Sequence, residues 1–187
     1  MTSLIRRRLL AAAAALPVVP AFAQTRPLTC GDLTAAQTEG PFFKTNTPLR
    51  ASLVEPGAKA PRLLVTGQVL SAQCRPVANA LLDFWHADED GEYDNRGFRY
   101  RGHQFTDAEG RYRLDTIVPA EYPGRARHIH VKVQAPGRRL LTTQLYFPGE
   151  PGNRRDGLYR QDLEMRMAAR VDEKRAGEGR FDFIVEA

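Results

Sequence analysis

Cysteine, tryptophan and histidine are scarce, with only 2, 1 and 4 of them among 187 residues. Two cysteines are too few for a disulfide-built scaffold or a four-cysteine zinc site. They leave two readings open: a single bridge between Cys30 and Cys74, or two small buried thiols. No apolar run reaches the roughly 18 to 20 residues of a membrane-spanning helix, which removes the helical membrane classes. Excess charge is also small once it is located. Arg6, Arg7 and Arg8 supply three of the formal +5, leaving +2 for the rest of the chain, where Arg alternates with Asp and Glu. No basic stripe is left to follow a nucleic acid. With 42% hydrophobic and 26% charged residues, the composition is that of a folded chain long enough for one well-cored domain.

What is present begins with a leader pattern over residues 1–23. Basic Arg6 to Arg8 precede the apolar stretch Leu9 to Val19, then Pro20 and Ala21-Phe22-Ala23. This predicts a cleaved export signal and a mature chain working in the periplasm or outside the cell, with no membrane contact after cleavage. Arg6-Arg7-Arg8-Leu9-Leu10 also fits twin-arginine export, so both export routes stay open.

Residues 24–61 show no lasting periodicity and many turn formers, which predicts an amino-terminal arm. From residue 62 to 187 short β-rich runs recur between turns: Leu63 to Leu70, Ala80 to His86, Tyr112 to Val118, Ile129 to Gln134, Leu140 to Phe147 and Phe181 to Val185. The expected fold is all-β, an antiparallel sandwich with long loops. One short carboxy-terminal helix is expected over Leu158–Val171, where Tyr159, Leu163, Met167 and Val171 recur every fourth residue. Asp88-Glu-Asp-Gly91 and Asp107-Ala-Glu-Gly110, each followed by x-Tyr, read as hairpin turns.

Chemistry concentrates between Pro119 and Val133. On a strand, His128 and His130 project from one face while Ile129, Val131 and Val133 project from the other, making a chelating imidazole pair. Tyr122 precedes them by six residues in a Tyr-Pro-Gly turn. A phenolate is a hard anionic donor, and a second one would favour Fe(III) over Zn(II). Tyr93 and Tyr112 both follow an Asp-x-x-Gly turn. Tyr112 shares a strand face with Leu114 and Val118, as a core residue does.

The ordered pieces Cys74-Arg-Pro-Val77, Trp85-His-Ala-Asp88, Gly91-Glu-Tyr93, Arg101-Gly-His-Gln-Phe-Thr-Asp107, Thr116-Ile-Val-Pro119, Tyr122-Pro-Gly-Arg125, His128-Ile-His130 and Thr143-Gln-Leu-Tyr-Phe147 resemble the intradiol ring-cleavage dioxygenases. The likeness is to compact, exported members with a protocatechuate-dioxygenase-like core. It implies ferric iron held by Tyr93, Tyr122, His128 and His130, and an aromatic diol and O2 as reactants. Tyr122 is then also the group that leaves with a substrate proton, Arg125 the stabiliser of developing charge, and Gln144 the group that orients the ring. Thr38-Glu-Gly-Pro-Phe-Phe43 resembles the family's pocket-edge segment, which makes Gly40 and Pro41 substrate contacts. Ala126 and Arg127 depart from the family, where Pro and a small residue are common. Copies of the chain are expected to pair, if they pair, through the arm or a sandwich face.

Two other readings follow from the same residues. Gly67-x-Val69, Cys74-Arg-Pro-Val77, Ala80 and Trp85 also resemble transthyretin-like sandwiches, which bind partners without a metal. A Zn(II) or Cu(II) site would need His103 or His86 beside His128 and His130.

Overall fold

The computed structural model describes residues 30–168 and 175–187, so the leader over residues 1–23 lies outside the described residues. Among the described residues nine strands form: β1 (Arg62–Ser71), β2 (Leu81–Trp85), β3 (Arg101–Phe105), β4 (Arg111–Ile117), β5 (His128–Gln134), β6 (Leu141–Tyr146), β7 (Arg166–Ala168), β8 (Arg175–Arg180) and β9 (Phe183–Val185). One sheet runs β4-β1-β8-β7, with β9 pairing to the far end of β1; the other runs β3-β2-β5-β6. The second sheet is antiparallel throughout. In the first, β8 and β9 run parallel to β1.

Alternation sets the core. Leu63, Val65 and Val69 of β1, Leu82 and Phe84 of β2, Leu114 of β4 and Ile129, Val131 and Val133 of β5 are fully buried and belong to one cluster between the sheets. Each such side chain contributes about 1.5 to 3 kcal/mol by leaving water. Tyr112 lies in this cluster and donates its hydroxyl to Phe181 O at 2.8 Å.

Because β2 and β5 send their apolar residues inward, their alternate residues must project from the outer face of the second sheet. The register aligns them in rows. Arg101, Trp85, His130 and Gln144 face one another across β3-β2-β5-β6, and Tyr146 lies opposite His128. Outer faces of antiparallel sheets normally meet water, yet these residues are buried. The cover comes partly from the arm. Gln37 N donates to Thr142 O at 2.8 Å and the Gln144 amide to Thr38 O at 2.9 Å, while Thr34 N, earlier in the arm, donates to Ile184 O on the first sheet at 2.9 Å. A Cys30–Cys74 disulfide ties the start of the described arm to the β1–β2 connection.

Three expectations need correction. The helix over Leu158–Val171 does not form in the described part of that segment: a 3-10 turn spans Gln161–Leu163, β7 follows, and residues 169–174 lie outside the described residues. Leu163 and Met165 are both buried and Met167 packs against the core, so alternation by two outweighs the spacing by four. Neither Asp-x-x-Gly turn closes a tight hairpin. Asp107–Gly110 carries the chain from β3 in one sheet to β4 in the other. Asp88–Gly91 opens the long loop between β2 and β3. Finally, β3, β7 and β8 were not expected. The β8 sequence RAGEGR has no large apolar residue and pairs through its backbone between β1 and β7.

Candidate metal centre

Two long loops bring phenols to the outer-face row. Asp88 Oδ1 accepts Asp90 N and Glu92 N, while Asp88 O accepts Ala120 N at 3.0 Å, so the loop bearing Tyr93 is bonded to the loop bearing Tyr122. Gly91 is what allows this approach. With φ at +85°, a Cβ there would stand 2.6 Å from Glu121 O. Tyr122-Pro123-Gly124-Arg125 closes with Arg125 N donating to Tyr122 O at 2.9 Å, and Gly124 has φ +80°. Those are the features of a type II turn.

The four residues expected to bind metal converge. His128 Nε2 and His130 Nε2 lie 3.0 Å apart. The Tyr122 ring is 5.7 Å from both Tyr93 and His128, and Tyr93 is 6.3 Å from His130. His128 Nδ1 lies 2.6 Å from Ala126 O, a carbonyl that only accepts, so Nδ1 carries the proton and Nε2 keeps a lone pair. His130 is held flat against Trp85, rings 4.7 Å apart and 6° from parallel. Burial, reinforced by the Arg125 charge, lowers the His128 pKa to about 4. Burial, with His128 beside it, holds His130 well below its ordinary value. Both imidazoles are therefore neutral donors at neutral pH.

Tyr93 provides a direct test of fit. Its ring stacks on Phe42 at 4.4 Å, but its buried hydroxyl has no hydrogen-bond partner among the described residues. Burial, followed by the proximity of Tyr122, raises its pKa. A buried phenol without a partner costs about 1 to 3 kcal/mol. A hard cation is the partner that would satisfy it, and two imidazoles with two phenols form a donor set suited to a ferric ion. Among the described residues no group of three or more His, Cys, Asp or Glu side chains comes together to hold a metal. His86 is bonded elsewhere, to Thr116 Oγ1 at 2.6 Å and Ala87 O at 2.7 Å. His103 is bonded to Thr47 O at 2.8 Å. Neither supplies the third imidazole that a zinc or copper site would need.

Arg125 and Gln144 meet at the same place. Arg125 Nη1 donates to Tyr122 OH at 3.1 Å and Nη2 to Gln144 Oε1 at 2.5 Å. A cavity of about 280 Å³ opens beside Tyr122 and Arg125, lined also by Glu121, Pro123, Gly124, Gly152, Arg155 and Asp156. Gly40 and Pro41 do not line it. Gly40, at φ +72°, faces His130, where a Cβ would sit 3.5 Å from Cε1, and Pro41 is exposed.

Sequence reasoning missed two members of the site. Tyr146 is two residues beyond Gln144 on the same strand face, and its hydroxyl lies 3.0 Å from both Gln144 Oε1 and Leu158 O. Alternation along β6 was the available signal. Asp156 carries no such signal: it stands in the loop Gly152-Asn-Arg-Arg-Asp-Gly157 and reaches Arg125 from 31 residues away.

A family model described as Dioxygenase matches residues 38–187. A hydroxyquinol 1,2-dioxygenase of Nocardioides simplex is 31% identical over 153 residues, covering 69% of this chain and 52% of that protein. The protocatechuate 3,4-dioxygenase beta chain of Burkholderia cepacia is 39% identical over 109 residues, 48% of this chain and 46% of that one. The chain spans about half the length of the curated relatives it matches. Among solved structures, the dioxygenase domain of a dioxygenase and carbohydrate-binding fusion from Streptomyces sp. SirexAA-E is 52% identical with a TM-score of 0.79, covering 83% of this chain and 99% of that one. The 3-chlorocatechol 1,2-dioxygenase of Rhodococcus opacus 1CP gives 27% identity and a TM-score of 0.75 over 81% of this chain and 71% of that one. The family model alone covers most of the chain, and the chain belongs to the intradiol ring-cleavage dioxygenase family.

Proposed function

We propose that the chain opens the ring of a catechol-type diol between its two hydroxyl-bearing carbons, inserting both atoms of O2 to give a muconate-type dicarboxylic acid, with Fe(III) held by Tyr93, Tyr122, His128 and His130. The observation that carries this reading is the convergence of two phenols, one of them an unpartnered buried hydroxyl, on two neutral imidazoles whose Nε2 atoms are 3.0 Å apart. When bound, the ferric ion supplies the Lewis acidity that lowers the diol pKa values and draws electron density from the ring. Tyr122 Oη, as a phenolate, accepts one diol proton and is held as a phenol by Arg125 Nη1. The permanent charge on Arg125 faces the ring during the reaction and stabilises negative charge there. Gln144, tethered by its amide to Thr38 O, orients the ring from the arm side.

The transthyretin-like alternative has no use for this buried donor set. Export is part of the same proposal, supported by the leader pattern over residues 1–23 and by the Cys30–Cys74 bridge, which persists in oxidising compartments. Loading metal-free protein with Fe(III) or Zn(II), then measuring visible absorption and O2 uptake with catechol, protocatechuate and hydroxyquinol, tests it. About one iron per chain, a red-brown phenolate charge-transfer band and diol-dependent O2 uptake are expected. Stoichiometric zinc retained in preference to iron, with no uptake on any diol, would overturn the reading.

A further inference from the structure

Arg125 has five N–H donors in one rigid plane, so whatever fixes Nε also fixes where Nη1 and Nη2 point. Nε is held by both oxygens of Asp156, at 3.1 and 3.0 Å. Asp156 is itself immobile. Its Oδ2 also accepts Ala126 N at 2.9 Å, its Oδ1 accepts Leu158 N at 2.9 Å, and its side chain is only 1% exposed. The Asp156 carboxylate is also the one acid in ion-pair contact with Arg125 among the described residues. The far side of the fork then reaches Tyr122 OH and Gln144 Oε1, the two groups placed around the diol. Tyr146 closes the network by lying between Gln144 Oε1 and Leu158 O, the residue whose N–H Asp156 accepts.

We infer that Asp156 is the positioning residue that aims the Arg125 guanidinium at Tyr122 and the diol, so that a carboxylate on the loop after β6 sets turnover by holding Arg125. This rests on the proposed dioxygenase reaction. An arginine whose Nε is released rotates about its flexible stem, and a displacement of about 1 Å at a reacting centre is enough to cost on the order of 10²-fold in rate.

The test combines a double-mutant cycle with a readout on metal-free protein. Asp156→Asn keeps the shape but has one acceptor oxygen in place of two, so it can accept only one of the two backbone N–H groups and loses both the charge and the two-oxygen grip on Nε. It should retain iron and visible colour while kcat falls roughly 10- to 100-fold, with KM changing much less. In an Arg125→Ala background the same substitution should change kcat by less than about twofold, because its effect runs through Arg125. In metal-free protein the Arg125 Nε–H signal, followed by nitrogen-15 NMR, should be protected from exchange in wild type and exposed in Asp156→Asn. Arg125→Lys guards against a variant that fails to fold: it keeps the charge, lacks Nε, and should lose turnover as Asp156→Asn does. Equal losses from Asp156→Asn in both backgrounds would make Asp156 a structural support only. Near wild-type turnover in Arg125→Lys, or an unchanged Nε–H signal in Asp156→Asn, would overturn the positioning role. Wild-type protein that takes no iron would instead defeat the dioxygenase reading, while the NMR comparison would still decide whether Asp156 holds Arg125.

Discussion

Removing one oxygen atom from Tyr93 or from Tyr112 should shift stability in opposite directions. Tyr112 donates a 2.8 Å hydrogen bond to Phe181 O inside the core. Its replacement by Phe removes that bond and leaves a buried carbonyl oxygen one partner short, a loss of about 1 to 2 kcal/mol. Tyr93 has a buried hydroxyl with no partner among the described residues. Its ring stacks on Phe42, and Phe would keep that contact. Tyr93→Phe should therefore make metal-free protein more stable by about 1 kcal/mol, since the desolvation penalty of the orphaned hydroxyl disappears. For a chain of this size that is roughly 2 to 4 °C in Tm, upward for Tyr93→Phe and downward for Tyr112→Phe. Iron should respond the other way: Tyr93→Phe loses much of the visible absorption and iron affinity, and Tyr112→Phe keeps both. Urea unfolding of both metal-free variants and iron titration on the same preparations measure all four quantities. If Tyr93→Phe destabilises metal-free protein as Tyr112→Phe does, its hydroxyl has a structural partner and was not left waiting for a cation. If Tyr93→Phe retains iron and colour, Tyr93 is not a ligand.

Two further outcomes can be checked independently of catalysis. Reducing the Cys30–Cys74 bridge, or replacing both residues by Ala, opens a loop with 44 residues of sequence separation; loop-closure entropy puts the loss at about 4 kcal/mol, readable as a lower urea midpoint, and an unchanged midpoint would show the arm is secured by packing alone. His86 is fully buried and its pKa is lowered to about 4, chiefly by that burial. Since the unfolded chain binds the proton first, the His86 contribution is complete above about pH 6.5 and is lost as pH falls toward 4; between pH 7 and 4.5 this is roughly 2 to 3 kcal/mol. His86→Gln should flatten the stability profile of metal-free protein over that interval by this amount, and equal slopes in the two proteins would refute it.

The parts of the molecule legible in its sequence are those where one local rule acts without competition. β-Rich runs between turns mark β1, β2, β4, β5, β6 and β9, and alternation puts His128 and His130 on the face opposite Ile129 and Val131, where the register sets Gln144 beside His130. It also marks Tyr112 as a core residue, while the choice of Tyr93 rests on the family resemblance. The same rule failed in two circumstances. In β8 the strand is made by pairing between β1 and β7 with almost no side chains to bury, so no pattern exists to be read. From Leu163 to Met167 two periodicities coexist, and only packing against the core decides between them.

Asp156 marks a third kind of limit, and a more general one. It stands between Arg155 and Gly157 in a loop, and its partners, Arg125 Nε and Ala126 N, come from a loop 31 and 30 residues earlier. Nothing local distinguishes it from Asp162, whose ion-pair partner among the described residues is the exposed Arg160. Residues proposed to face a substrate are constrained by chemistry and tend to form short motifs, as the run Tyr122 to His130 does. Those that aim such residues need only reach them in space, and any loop that arrives with a carboxylate will serve. Side chains that hold another side chain in place are therefore a part of such a site that only the fold reveals. Here that fold brings the loop after β6 against the Tyr122 turn, and the resulting network joins the arm, strand β6 and two loops around one guanidinium.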